Sequence, residues 1–358
     1  WIFLNCIDKL TWNGSESTDW GNDGSINSYK NWTPWGIPGE ETEVEIPQLT
    51  TTSPKYPKLE NTTNAKAKSV AVNTGAELYL EDQIITLASG QKLTNYGKVH
   101  LQNTSDQKTF IADFDHKSGS TIVYKDVADT NNTIWHGPYK NLIFESTVPD
   151  TIEASSLTVN ETLTVNKNIT INTVVTQSYN VIDANAKNLT FTASSLTTRG
   201  NVTAKDINAT NAGTWTAQNG NITLKGNLTA AQFNQTSGSL IFNGGNPTVQ
   251  TLTLTNPASK VFSLEVSLSS ILHLTTPLTL ISSFVNRGKF DVSGKDVTLK
   301  PDSTISIKGT TNEADTIFKN LFCEDAGGKT FSVTDKISVN GDLNLSGSYV
   351  STLVNPLT

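Results

Sequence analysis

The sequence contains little charge, few cysteines and no long apolar run, and each shortage excludes a class of protein. Charged residues make up 16% and apolar residues 36% of the 358 positions, which is low for a compact globular domain. No segment approaches the roughly 20 apolar residues that a membrane-spanning helix needs. The two cysteines, Cys6 and Cys323, are too few for a disulfide scaffold or a zinc cluster. A net charge of −7 without a local Lys/Arg cluster argues against nucleic-acid binding.

Sequence signatures of common enzymes are also missing. No serine lies in a Gly-x-Ser-x-Gly elbow. The segment Gly328-Lys329-Thr330 is not a phosphate loop, because Cys323 stands where that motif requires its first glycine. The four histidines are scattered without metal-ligand spacing; they are His100, His116, His136 and His273. The sequence therefore predicts a protein that is not an enzyme and that holds no cofactor or metal.

Thr, Asn, Ser and Gly are abundant instead, and they favour pleated strands and tight turns. Short runs such as Leu163-Thr164-Val165 alternate apolar and polar residues, which is typical of a strand with one buried face. Written in rows of twenty, the sequence aligns related triplets. They are Asn168-Ile169-Thr170, Asn188-Leu189-Thr190 and Asn208-Ala209-Thr210 in one column, with Asn227-Leu228-Thr229 one column out of step, and Asn201-Val202-Thr203 above Asn221-Ile222-Thr223 in another.

A repeat of about 20 residues with two or three short strands corresponds to one coil of a β-solenoid, whose coils bury their inner faces by stacking. The sequence therefore predicts an all-β fold, a parallel β-helix with coils of about 20 residues and an aromatic N-terminal cap. The predicted domains are a Trp-rich capping segment (1–48), a first long β-helix repeat (49–250) and an incomplete second long repeat (251–358).

The longer repeat has an offset near 180 residues. Four ordered pairs of segments support it: Asn95–Lys98 with Asn286–Lys289, Ser120–Lys125 with Ser303–Lys308, Tyr139–Glu145 with Phe318–Glu324, and Leu157–Asn160 with Ile337–Asn340. Cys323 takes the place of Phe144 in this alignment, so we expect a buried apolar residue rather than a reactive thiol. Because the second copy is incomplete, we expect the chain to be the first part of a longer repetitive protein.

Five of the seven tryptophans fall within the first 35 positions. An open solenoid end exposes its core and its strand edges, and a dense aromatic cap would cover both. Cys6 follows the short apolar run Trp1–Asn5, which is similar to the end of a bacterial lipoprotein signal. The sequence leaves two alternatives for Cys6, a lipidated residue that anchors the protein to a membrane or part of a buried capping strand.

The aromatic segment also carries a family resemblance. Its pattern is Trp12-Asn13-Gly14, Asp19-Trp20, Asn31-Trp32, Ile37-Pro38 and Val44-Glu45-Ile46-Pro47, followed by coils such as Gly75-Ala76-Glu77-Leu78 and Leu93-Thr94-Asn95-Tyr96-Gly97. The pattern resembles large exported bacterial β-helix proteins of the filamentous-haemagglutinin and autotransporter-adhesin type. The resemblance implies an extracellular protein of the bacterial cell surface or outer membrane that acts in adhesion and virulence. The Asn-Pro secretion motifs of the haemagglutinin group are not recognisable here.

Two segments carry candidate functional residues. Asp113 and Asp115 alternate onto one strand face within Asp113-Phe114-Asp115-His116, so they could hold Ca²⁺ or act as an acid/base pair. A solvated loop is the alternative interpretation. Trp135, His136 and Tyr139 lie in or beside a predicted loop, 131–138, that interrupts the solenoid, and loops often carry recognition. Trp135 has no counterpart in the second copy. These three residues are therefore the predicted ligand-binding site.

Three functions remain open at this stage. The leading hypothesis is an adhesin or adhesin stalk that binds a host or cell-surface protein or glycan. The second is a structural surface-layer or sheath protein whose rods associate laterally. The third is a polysaccharide-degrading β-helix enzyme, a lyase or hydrolase, which would need closely placed carboxylates, or carboxylates with Arg or Lys, in a groove along one sheet.

Overall fold

The computed structural model describes residues 7–21, 29–59, 65–81, 83, 85–101, 114–125, 138–145, 151–154, 157–166, 168–173, 176–184, 187–245, 249–292, 294–300, 305–310, 315–324, 331–334 and 336–346. The chain divides into two compact units, Trp1–Lys167 and Asn168–Thr358. Strands and turns dominate both units, and successive coils pair in parallel at spacings near 20 residues. The predicted parallel β-solenoid is confirmed.

The first unit contains fifteen of the strands that the described residues form. They are β1 (Lys9–Trp12), β2 (Trp32–Thr33), β3 (Glu43–Ile46), β4 (Ala65–Ala67), β5 (Ser69–Val72), β6 (Glu77–Glu81), β7 (Ile85–Leu87), β8 (Leu93–Asn95), β9 (Lys98–Leu101), β10 (Phe114–His116), β11 (Thr121–Tyr124), β12 (Pro138–Tyr139), β13 (Asn141–Phe144), β14 (Thr151–Ala154) and β15 (Leu157–Val165).

The second unit contains twenty more strands in the described ranges. They are β16 (Ile169–Thr173), β17 (Thr176–Asp183), β18 (Leu189–Thr198), β19 (Val202–Ala204), β20 (Ile207–Ala217), β21 (Ile222–Leu224), β22 (Leu228–Gln235), β23 (Leu240–Phe242), β24 (Val249–Leu254), β25 (Val261–Val266), β26 (Ile271–Leu274), β27 (Leu278–Asn286), β28 (Lys289–Asp291), β29 (Asp296–Leu299), β30 (Ile305–Lys308), β31 (Thr316–Phe318), β32 (Asn320–Glu324), β33 (Phe331–Thr334), β34 (Ser338–Val339) and β35 (Leu343–Ser346).

Stacking between coils follows the alternation of the sequence. In the first unit, one sheet has the order β10-β8-β5-β3-β1-β2, and a second face stacks β6, β9, β11 and β13 in parallel. Every second residue of a typical strand is buried; Val70 and Val72 of β5 point inward, while Ser69 and Ala71 do not. Each coil therefore contributes a thin layer of apolar side chains to a core shared with its neighbours.

Three tryptophans form the predicted aromatic cap. The rings of Trp12 and Trp20 each pack edge-on against Trp32, at centroid distances of 4.9 and 5.1 Å, and all three side chains are buried. Trp12 Nε1 donates to the carbonyl of Lys55 and Trp32 Nε1 to that of Trp20, so the N–H groups of these two indoles are satisfied. Strand β1 pairs in parallel with β3 and antiparallel with β2, so the parallel stack of this sheet starts at β1.

The register of the second unit corrects one part of the row-of-twenty alignment. Asn188 does stack on Asn168, and its backbone N–H donates to Asn168 Oδ1 at 2.9 Å. In the next coil, however, Ile207 pairs with Leu189, so Asp206 continues the column and Asn208 pairs with Thr190. Coil lengths vary, for example 18 residues from Leu189 to Ile207 and 21 from Ile207 to Leu228, because the inward-facing strand residues, rather than the asparagines, fix the register.

Asp206 performs the same task as an asparagine in this column. Its Oδ1 accepts a hydrogen bond from the backbone N–H of Asn227 at 2.6 Å, and Asn227 Oδ1 accepts one from Thr251 at 2.8 Å. The other predicted pair, Asn201 and Asn221, stacks as expected, with N–H to Oδ1 at 3.0 Å. Side-chain oxygens thus extend the ladder through the turns.

Candidate functional site

The structure describes only some of the residues that the sequence predicted as sites. Cys6, Asp113, Trp135 and His136 lie outside the described residues. Tyr139 is described, and its placement in an exposed loop was wrong. It is a residue of β12 with 0% exposure, and its hydroxyl lies 3.2 Å from that of Tyr124. Burial raises the pKa of Tyr139 well above its ordinary value. Its inward position on the strand makes it a core residue rather than a ligand contact.

Asp115 is partly exposed at the surface of the first unit. Its Oδ2 lies 2.6 Å from Lys117 Nζ, so the carboxylate already has a cationic partner. The adjacent His116 stacks nearly parallel to Phe114, with ring centroids 5.1 Å apart. Burial lowers the pKa of His116 to about 4, against the opposing effect of Asp115 and with a smaller contribution from Lys140. The imidazole is therefore neutral at pH 7.

A cavity of about 400 Å³ opens beside these residues, and we call it the wall pocket. Its size lies at the small end of the range for ligand pockets. Apolar surfaces and polar groups both contribute to it. The lining residues are Lys92, Phe114, Asp115, His116, Pro138, Lys140 and Asn160.

Among the described strands of the first unit, the parallel ladder is interrupted at the wall pocket. Strand β10 is the last described strand of its sheet and pairs with β8. Strand β12, which contributes Pro138, pairs with β15. In the long repeat the counterpart of β12 is β31, and β31 pairs with both β28 and β34. Among the described strand pairs, the second unit therefore continues the ladder where the first unit has a cavity.

Cationic side chains dominate the charge of the pocket lining. Lys92 and Lys140 contribute two amines, and among the described residues neither forms an ion pair, whereas Asp115 is paired with Lys117. One further carboxylate, that of Glu161, interacts with the charge of Lys140. Glu161 already accepts hydrogen bonds from other donors, which are Ser118, Gly119 and Asn141. Within the part of the chain that the structure describes, no carboxylate pairs directly with either lining amine.

A second polar cluster surrounds Glu77 on β6. Glu77 Oε1 lies 3.1 Å from Lys98 Nζ, and Oε2 lies 2.9 Å from His100 Nε2. The Tyr79 hydroxyl also donates to Oε2, and the Tyr79 ring stacks on His100 at 4.1 Å. Lys125 Nζ lies 4.3 Å from the centroid of the Tyr79 ring, within range of a cation–π contact. The cluster is closely packed and spans three neighbouring coils.

The ionisation states of this cluster follow from burial and hydrogen bonding. Burial alone would raise the pKa of Glu77, but donors outweigh it and lower the pKa to about 2; they are Tyr79, Lys98 and His100. Burial lowers the pKa of His100 to about 4, although its hydrogen bond to Glu77 opposes the shift. At pH 7 a neutral imidazole therefore donates from Nε2 to a carboxylate. Because the Glu77 carboxylate already binds these partners, the cluster has a structural role in stabilising the neighbouring coils.

The cap also contains an exposed tryptophan. Trp35 is 69% exposed, unlike Trp12, Trp20 and Trp32, and Lys30 Nζ lies 5.9 Å from its ring centroid. Tyr29 is also exposed. The sequence assigned all of these tryptophans to one cap, because spacing alone does not distinguish a core indole from a surface indole.

No protein-family model, curated protein or solved structure matches this chain. Within the described part of the chain, no helix is long and apolar enough to cross a bilayer. The same residues contain no group of three or more His, Cys, Asp or Glu side chains arranged to hold a metal ion.

Sequence reasoning missed Lys92, Lys140 and Asn160 as pocket residues. They come from three different coils, and each occupies an ordinary polar position next to a strand or within one. One signal was present: Lys140 belongs to the long repeat, and the segment before it differs between the two copies. That difference marked a place where the solenoid departs from its regular pattern.

Proposed function

We propose that this chain is a surface-exposed adhesin or adhesin stalk, whose β-solenoid binds a host or cell-surface ligand at the wall pocket. The observation that carries the proposal is the pocket itself, which lies between β10 and β12, two described strands that pair with β8 and β15 rather than with each other. Regular solenoid walls provide scaffold, and departures from the regular pattern create room for recognition. The resemblance of the aromatic segment to exported bacterial adhesins supports the surface location.

The pocket has the mixed lining of a binding site. Pro138 and Phe114 provide apolar surface, while Asn160 and the two lysines provide polar groups that can orient a ligand. Phe114, Pro138 and Asn160 lie on strands, which hold them more firmly than loops would. A glycoside hydrolase typically needs two carboxylates across the bond, and Asp115 is the carboxylate that the described lining supplies.

The test is binding of the purified chain to a panel of host matrix proteins, cell-surface glycans and intact cells. We expect saturable binding that is lost in Asn160→Trp, because the indole would fill the pocket. Asn340 occupies the matching place in the second long repeat and is exposed, so Asn340→Trp is the matched control and should bind normally. Tyr139→Phe should also bind normally, because that ring is in the core.

Three other results would contradict the proposal. If the chain binds no component of the panel, adhesion through this part of the molecule is wrong. Ordered assembly of the chain without any ligand would favour the structural sheath. New reducing ends or unsaturated products from a polysaccharide would favour the enzyme.

A further inference from the structure

We propose that the wall pocket takes an acidic saccharide, a sugar unit that carries a carboxylate or a sulfate ester. This inference rests on the proposed binding function and specifies the ligand class of the same site. Lys92 and Lys140 carry it, because they place two amines at one cavity of about 400 Å³.

The charge of the pocket lining is opposite in sign to the net charge of the whole chain. The sequence has a net charge of −7. The described lining carries Lys92, Lys140 and Asp115, and Asp115 is paired with Lys117. The carboxylate of Glu161, which interacts with the charge of Lys140, already accepts a hydrogen bond from Gly119. An amine bonded to a carboxylate or sulfate forms a charge-assisted hydrogen bond, which is stronger than one between neutral groups. A single anionic group on a ligand would therefore pair with the two lining amines, to which the described residues supply no direct ionic partner.

The remaining lining suits a sugar ring. Phe114, Pro138 and the neutral His116 give apolar surface for the C–H face of a ring, and the amide of Asn160 can both donate to and accept from hydroxyl groups. A long polyanion such as DNA would experience the net negative charge of the chain along its length. A short acidic saccharide experiences mainly the two lysines at its anionic group.

The experiment is isothermal titration calorimetry of the full chain at low salt. The probes are a galacturonate trisaccharide, a sulfated disaccharide and, as the neutral match, a galactose trisaccharide; inorganic phosphate tests for simple anion binding. We expect at least one acidic sugar to bind roughly tenfold or more tightly than the neutral sugar, since charge-assisted bonds are lost in the neutral one. Added salt should weaken acidic-sugar binding.

Variants identify the amines that bind. Lys92→Ala and Lys140→Ala should each weaken acidic-sugar binding by roughly tenfold. Lys319 is the exposed counterpart of Lys140 in the second long repeat, so Lys319→Ala should bind with unchanged affinity. Equal affinity for neutral and acidic sugars, equal affinity for phosphate alone, or an unaffected Lys140→Ala would each overturn the inference.

The two proposals fail in different ways. If no acidic sugar binds, but the chain binds cells and Asn160→Trp abolishes that binding, the ligand class is wrong and the adhesin proposal stands. If the chain binds neither the sugars nor any cell-surface component, both proposals are wrong. Acidic-sugar binding that Lys140→Ala weakens and Asn160→Trp abolishes supports both.

Discussion

Asn95 and Asn286 form the same turn in the two long repeats. Oδ1 of Asn95 accepts a hydrogen bond from the backbone N–H of Gly97 at 3.0 Å, and Oδ1 of Asn286 accepts one from Gly288 at 3.1 Å. Both asparagines are buried, with 0% and 1% exposure. Each amide also donates to a backbone carbonyl of the following coil, that of Thr121 or Asp315.

The glycines of these turns are required by close contact between coils. A Cβ atom on Gly97 would lie 2.4 Å from the carbonyl oxygen of Ala76, and one on Gly288 would lie 2.2 Å from that of Ser270. The Asn-x-Gly motif is thus one structural device used twice, which explains why it recurs at the same place in both repeats.

We expect Asn286→Ala to lower the free energy of unfolding by about 1–3 kcal/mol, because a buried turn loses its acceptor and the link to Thr316. Urea denaturation followed by circular dichroism measures the change. Asn340→Ala removes an exposed asparagine of the same repeat and should change stability by no more than about 0.5 kcal/mol. Equal stability of the two variants would show that the turn does not depend on this side chain.

Stability should fall as the pH is lowered below about 6.5. His100 and His116 have pKa values of about 4 in the folded protein against 6.5 ordinarily, so between these values the unfolded chain binds protons that the folded chain does not. Each histidine therefore lowers the free energy of unfolding by at most about 1.4 kcal/mol per pH unit over that window. Urea denaturation at several pH values between about 7 and 4 measures the slope.

Glu77 extends the loss of stability to lower pH. Its pKa is about 2 in the folded protein against 4.5 ordinarily, so its stabilising effect is complete above 4.5 and disappears as the pH falls from 4.5 towards 2. As a control, His100→Gln should flatten the slope above pH 4, because glutamine can still donate to Glu77 but does not titrate. A slope unchanged by replacing both His100 and His116 would refute the assignment.

Truncation of Trp32 and of Trp35 should change the stability of the protein by very different amounts, although only two residues separate them. Trp32→Ala removes the ring that contacts both Trp12 and Trp20, and we expect a loss of about 3–5 kcal/mol. Trp35→Ala removes an indole that is 69% exposed, and the change should stay within about 0.5 kcal/mol. Thermal unfolding of the two variants side by side checks this, and similar losses would mean that Trp35 is part of the cap core.

The Cys323 thiol should be unreactive in the folded protein. It is 2% exposed, on a strand between Leu299 and Leu345, and burial raises its pKa to about 12. In a Cys6→Ser variant, alkylation should be slower by roughly a hundredfold or more than in urea, since the thiolate is the reactive form. Rapid alkylation without denaturant would mean that this strand opens readily.

Local patterns were sufficient to predict the solenoid. Alternation within runs such as Ile222-Thr223-Leu224 predicts strands with one buried face, and those residues do form β21 with that pattern. Cys323 was expected to be a buried core residue, and that prediction is also confirmed. The boundaries at 48 and 250 and the adhesive function stay predictions.

Features that depend on neighbouring coils were predicted less well. The column of Asn168 continues through Asp206 because pairing of Ile207 with Leu189 fixes the register. An alignment with a fixed period of twenty residues misplaces the asparagines wherever a coil is shorter. Tyr139 was placed at the surface because its segment carries loop residues, yet pairing of β12 with β15 directs the ring into the core.

The sequence by itself determined the class of fold, its approximate coil length and its aromatic cap, because hydrophobic alternation and repeat spacing are recorded in consecutive residues. Only the tertiary structure decided which polar residues meet. Lys92, Lys140 and Asn160 are far apart along the chain, and they line one pocket because β10 and β12 pair with different strands. Such a break in the ladder is a property of strand pairing between coils, and no single coil encodes it.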